Sequence, residues 1–252
     1  MALAQSASTT IQLNQIDDLG GVTETLHNVL RCNTAATPAM TQLATLPALL
    51  KKPTEPSVCD LVRLSNGFIA GRLRATANEA AEMVRSRQKS LFLWALLGRC
   101  YLELGAFEKS AICLTRATAV APQLGELWSL LGEASEKDSK IDEAAAQYRK
   151  AVELAPKHLT ALSNLGTLLA SLGQFSEADK HLSAAISLEP KDPVLHFSRA
   201  EALYQLGQLD AAKQGYMSAI SIDPGYADAH FGLGQINAEQ GNHDAAICNF
   251  ND

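Results

Sequence analysis

Residues 117–122 read ATAVAP, and the phrase returns as AVELAP at 151–156, AISLEP at 185–190 and AISIDP at 219–224. The closing prolines, Pro122, Pro156, Pro190 and Pro224, stand 34 residues apart. Self-similarity at a fixed period is the mark of a repeat architecture, in which each copy buries its apolar face against the next. The period therefore decides the fold class before any local reading does.

Working outward, units of 34 residues count from Leu91, Gly125, Leu159, Pro193 and Ala227. Small residues recur at three places. The eighth position holds Gly98, Gly132, Gly166, Ala200 and Gly234, and the twentieth holds Ser110, Ala144, Ala178, Ala212 and Ala246. The twenty-seventh holds Ala117, Ala151, Ala185 and Ala219. Two helices can approach closely only where side chains are small. Large residues alternate with them, as at the twenty-fourth position: Leu114, Tyr148, Leu182, Tyr216 and Phe250. The fifteenth position, Gly105, Ser139, Gly173, Gly207 and Gly241, suits the left-handed residue that ends a helix. Three residues on, Asp142, Ser176, Asp210 and Asp244 read as N-caps of a second helix, with Glu108 in the same place. The closing proline cannot continue a helix interior and resets the chain. Each unit is thus a helical hairpin stacked on its copies, and the fold class is an all-α solenoid.

The flanks follow a weaker pattern. Residues 57–90 read as a degenerate capping helix pair around Gly71. Ser57 with Asp60, and Thr76 with Glu79, have the spacing of N-terminal caps. The first helix is expected to bury Val58, Leu61, Val62, Phe68 and Ile69, and the second Ala77, Ala80, Ala81 and Val84. Residues 1–56 lack the repeat. Val22–Leu30 has helical spacing, Thr37-Pro38 reads as a second helix start, and Lys51–Pro56 reads as a linker. This extension is either loosely ordered or a short helical segment packed on the solenoid or in its groove. The fifth unit stops within its second helix, at Asp252, which suggests a fragment of a longer protein or an end covered by another chain.

The pattern resembles the tetratricopeptide repeat family. Trp94, Leu97, Gly98 and Tyr101 reproduce its W-x-x-L-G-x-x-Y motif, followed by Ala117 and Pro122. The third unit keeps Leu165, Gly166, Ala178, Ala185 and Pro190. The resemblance is firm over 91–252 (units 91–124, 125–158, 159–192, 193–226 and a partial 227–252) and weak over 57–90. It implies antiparallel helix pairs in a right-handed superhelix with a concave groove for peptides or partner proteins. Arg199 and Asn237 stand where the family expects apolar residues, and His196 and His230 where it expects an aromatic.

Composition limits the chemistry. Of 252 residues, 47% are hydrophobic and 19% charged, enough apolar surface to fold most of the chain. A net charge of −6 argues against nucleic acid, whose binders carry a basic stripe. Cys32, Cys59, Cys100, Cys113 and Cys248 are scattered and form no C-x-x-C pair. They read as reduced thiols in a reducing, cytoplasmic compartment. The N-terminus lacks the basic and apolar regions of a signal peptide, and no run is long enough for a membrane helix. Neither a hydrolase elbow, a P-loop nor a zinc motif is present, and no Ser, His and Asp share a triad spacing. The expectation is a non-catalytic interaction module without cofactor or metal.

By the family's geometry the groove is lined by the first helix of each unit. Arg99, Glu133, Asn164, Phe197, Glu201, Tyr204, Phe231 and Gln235 are the candidate partner-binding residues. Aromatic and polar groups together suit an extended peptide with spaced apolar side chains. Two known specialisations do not fit. The positions of the chaperone-type carboxylate clamp hold Ser129, Glu133, Asn164, Val194 and Ser198, of which only Asn164 matches. The asparagine row of the O-GlcNAc transferase superhelix reads Leu96, Leu130, Asn164, Ser198 and Gly232. A rival of another class is a substrate-presenting arm of a glycosyl-, sulfo- or methyltransferase with a catalytic domain beyond Asp252. A third expectation is self-association through the uncapped C-terminal repeat.

Overall fold

The computed structural model describes residues 56–251, and within them twelve helices follow one another. The expectations for residues 1–55 lie outside the described residues, as do those for the side chains of Val58, Cys59, Val62 and Phe250. Contacts divide the chain between Ala155 and Pro156 into two compact units. The N-terminal unit holds α1 (Val58–Ile69), α2 (Leu73–Ser86), α3 (Leu91–Glu103), α4 (Phe107–Val120), α5 (Gly125–Lys137) and α6 (Ile141–Leu154). The C-terminal unit holds α7 (Leu159–Ser171), α8 (Phe175–Leu188), α9 (Pro193–Gln205), α10 (Leu209–Ile222), α11 (Ala227–Glu239) and α12 (His243–Asn251). Within each unit the helices pack as successive antiparallel pairs. The first helix of each of the five units starts on the residue from which the period was counted: Leu91, Gly125, Leu159, Pro193 and Ala227.

The small residues lie where the pairs close. A Cβ added to Gly98 would lie 2.5 Å from the Leu114 side chain, and one on Gly132 would lie 2.6 Å from the Tyr148 ring. Any larger residue there must displace the Leu114 or Tyr148 side chain that fills the space. Ser110 does more than stay small: its hydroxyl donates to the Gly98 carbonyl at 2.7 Å and ties the pair together.

The turns share one backbone solution. Gly71, Gly105, Gly173, Gly207 and Gly241 take φ between 72° and 77°, and Ser139 takes 63° in the same place. Ser139 therefore carries a left-handed strain that the glycines avoid. The turn residue's N–H returns to the preceding helix, as when Gly105 donates to Leu102 and Ser139 to Glu136.

Three local expectations are corrected. The second helices begin one residue before the presumed caps, so Ala106, Lys140, Gln174 and Gln208 occupy the N-cap places without side-chain cap bonds. Glu108, Asp142 and Asp210 sit instead inside the first turn, where a carboxylate favours the positive end of the helix dipole. Thr76 is likewise buried inside α2, packed where a Cβ on Gly67 would lie 2.5 Å from its hydroxyl. Ile69, expected in the core, is exposed at the end of α1. Ser57 does cap α1, accepting from the Asp60 N–H.

The polar departures from the repeat come with partners. Arg199 Nε donates to Asp179 Oδ1 at 2.6 Å, and Lys213 Nζ donates to Asn237 Oδ1 at 3.2 Å. Each joins a first helix to the second helix before it. His196 and His230 keep a contact that the tryptophans make. Trp94 and Trp128 donate their indole N–H to the carbonyls of Gln88 and Pro122, six residues back. His196 Nε2 lies 2.9 Å from the Pro190 carbonyl and His230 Nε2 lies 3.0 Å from that of Pro224. A ring N–H on Nε2 makes the same bond, so these histidines clamp the inter-repeat turn.

Candidate functional site

The first-helix faces of the two units differ. In the N-terminal unit, Phe92, Ala95 and Leu96 of α3 are fully buried in one cluster with Leu61, Leu64, Ala77 and Ala80. Arg99 follows on the same face and is only 3% exposed. Its guanidinium donates to Glu103 at 2.6 Å and reaches Glu133 of α5 at 3.8 Å. Burial pushes the Glu133 carboxyl above its usual range, and Arg99 pulls it partly back. Two of the candidate partner-binding residues, Arg99 and Glu133, thus lie 3.8 Å apart, the first buried and the second half-buried.

In the C-terminal unit the corresponding face opens into a pocket of about 440 Å³ between α7 and α9. One wall is Thr167, Ala170 and Ser171 of α7, with Phe175 at the start of α8. The other is Phe197, Ser198, Glu201, Ala202 and Gln205 of α9. The α7 face carries no ionisable side chain, since its sequence is LTALSNLGTLLAS. Glu201 is therefore the one charged group in the lining.

Tyr216 holds that charge in place. Its ring is fully buried in the core of the C-terminal unit, and its hydroxyl donates to Glu201 Oε1. Burial, and then the bond to Glu201, push this phenol well above its usual range, so it stays a donor. The ring also reaches α11, where a Cβ on Gly232 would lie 2.5 Å from it. Further along, Tyr204 of α9 donates to Glu239 of α11, and that bond raises the Tyr204 phenol.

Of the candidate residues, Phe197 and Glu201 line the pocket together. Phe197 is half-buried, with ring centroids 5.9 Å from Tyr216 and 5.4 Å from Tyr226, so it packs against the core as well as lining the pocket. Phe231 is 57% exposed on α11. Asn164, Tyr204 and Gln235 are half-buried and lie outside the lining. Phe175 was missed. A recurring bulky residue at the seventeenth position (Phe107, Ile141, Phe175, Leu209) could have signalled it.

Among the described residues, no group of three or more His, Cys, Asp or Glu side chains could hold a metal ion. No described helix is long and apolar enough to cross a membrane. Cys100 and Cys113 are buried free thiols, pushed by burial up to about 12 and about 11, and Cys248 is a free, exposed thiol.

No curated protein matches the sequence. Among solved structures, the chain is similar to YrrB, described as a TPR protein with an unusual peptide-binding site. The two share 20% identity over 69% of this chain and 89% of that one, with a TM-score of 0.63. It is also similar to MamA from Desulfovibrio magneticus RS-1, at 22% identity over 64% of this chain and 91% of that one, TM-score 0.61. At these identities the likeness speaks for the fold. Three family models match along the repeats: two described as tetratricopeptide repeat over residues 95–158 and 137–196, and one as TPR repeat over 200–241. The helix pairs, their 34-residue register and these matches agree: the chain belongs to the tetratricopeptide repeat family.

Proposed function

We propose that the protein is a binding module that holds an extended peptide segment of a partner in the pocket between α7 and α9. The observation that carries this is the open pocket itself. It has apolar walls from Phe175, Phe197, Ala170 and Ala202 and convergent polar groups from Ser171, Ser198, Glu201 and Gln205. Its volume of about 440 Å³ falls in the range of ligand pockets, about 300–1,000 Å³. It accommodates a long side chain and the backbone that bears it. Rigid helices fix these groups in advance, so the main cost of binding is ordering the peptide. The chain itself supplies binding and no chemistry.

The test uses the full chain, immobilised, with a degenerate nonapeptide library passed over it. A subset is retained by the native protein. Ser171→Trp, which puts an indole in the pocket from an exposed position, removes that retention while helicity and melting temperature stay unchanged. Equal retention by Ser171→Trp would place the binding surface elsewhere.

A further inference from the structure

Resting on the peptide-pocket reading, we infer that the pocket between α7 and α9 selects a cationic side chain, Lys or Arg, from the bound segment, with Glu201 as its counter-charge. The pocket brings an apolar wall and one oriented carboxylate to the same space. Tyr216 engages Glu201 Oε1 from the buried side, and a carboxylate has further lone pairs for a second donor. No Lys or Arg of the chain lines the pocket. The single Arg on α9, Arg199, is held by Asp179 of α8 at 2.6 Å.

The other polar liners fit the same occupant. Thr167, Ser171, Ser198 and Gln205 all offer acceptor oxygens, and an ammonium or guanidinium brings only donors. The stems of Lys and Arg are aliphatic and lie along apolar surface while the charged head reaches a polar group. Phe175 and Phe197 supply that surface. A Leu in the pocket would strip water from Glu201 and return no partner. A Glu or Asp would meet a like charge. The wider face has the same sign: Asp228 and Glu239 are the only charged residues on α11.

The experiment divides the nonapeptide library into pools whose central residue is fixed as Lys, Arg, Leu or Glu. Pools are passed over the full chain, native or Glu201→Gln. The glutamine keeps an acceptor for Tyr216 and removes the charge, and circular dichroism checks the fold. Hydrogen bonds to a charged group contribute enough for roughly tenfold in affinity. The Lys and Arg pools are expected to be retained about tenfold more than the Leu and Glu pools, and Glu201→Gln to erase that preference. Added salt should weaken it. A second variant, Gln205→Lys, puts a cation in the pocket without touching Tyr216 and should cut retention of the basic pools. This keeps the test decisive if Glu201→Gln is unstable. Retention without a basic preference, or a preference that both variants leave intact, overturns the inference and leaves the peptide pocket standing. If no pool is retained, the pocket reading itself falls, and the inference with it.

Discussion

The second position of the repeat holds Phe92 in the N-terminal unit and Val194 in the C-terminal unit. Phe92 is fully buried, while Val194 is 50% exposed. Both residues are apolar and both stand near the start of a first helix, so neither hydropathy nor register distinguishes them. Their neighbours do. Around Phe92, the α3 face continues as Ala95 and Leu96, buried in one cluster with Leu61 and Leu64, and closes. Beside Val194, the α9 face continues as Phe197, Ser198 and Glu201 and faces a pocket. One repeat scaffold thus makes a closed packing face on α3 and an open, more polar one between α7 and α9. A pocket opens where the repeat stops filling its own inner face.

The sharpest way to break this contrast is to truncate both residues. Phe92→Ala is expected to destabilise the N-terminal unit by about 3–5 kcal/mol, the cost of emptying a buried aromatic position. Val194→Ala is expected to change stability by no more than about 0.5 kcal/mol. Chemical denaturation read through unit-specific probes checks this. Trp94 and Trp128, the chain's two tryptophans, both lie in the N-terminal unit and report on it alone. Equal costs at both positions would dissolve the distinction.

The thiols give a second, smaller contrast. Burial pushes the Cys100 thiol from 9.0 up to about 12 in the folded chain. The native thiol keeps its proton longer than the unfolded one, so rising pH favours unfolding. Stability of the N-terminal unit should be fully present below about pH 9 and should fall as pH climbs toward about 12. Tryptophan fluorescence across that range checks the sign. Under native conditions near pH 8, iodoacetamide should modify Cys248 and spare Cys100 and Cys113, as peptide mass spectrometry would show.

The smallest effect concerns the strained turn. Ser139→Gly removes a non-glycine residue from φ 63° and should stabilise the chain by about 1 kcal/mol. Gly105→Ser, at φ 72°, should cost a similar amount. If both changes are neutral, the shared turn geometry has no energetic consequence.

Much of the fold was legible because the repeat is written in small and large residues at a fixed period. The helix starts at Leu91, Gly125, Leu159, Pro193 and Ala227 follow from counting. Caps were harder. Asp142 and Asp210 have the chemistry of N-caps, yet the helices start before them, at Ile141 and Leu209, and use them as first-turn charges. The partners of Arg199 and Asn237 were hidden because Asp179 and Lys213 lie 20 and 24 residues earlier, on another helix. The site was half legible. Phe197 and Glu201, both counted among the inward positions, line one pocket. Arg99 has the same register, but it is buried and bonded to Glu103 at 2.6 Å, with Glu133 at 3.8 Å, contacts that its place in the repeat did not announce. Sequence marks which residues face inward; only packing decides whether that face stays open.

The central claim is that the open face of the C-terminal unit binds and the closed face of the N-terminal unit does not. Hydrogen–deuterium exchange of the full chain, with and without a saturating Lys-centred nonapeptide pool, tests it most directly. The account predicts slowed exchange confined to α7, the start of α8 and α9, within residues 167–205, with α3 and α5 unchanged. Protection concentrated on α3 and α5, with residues 167–205 unaffected, would contradict it.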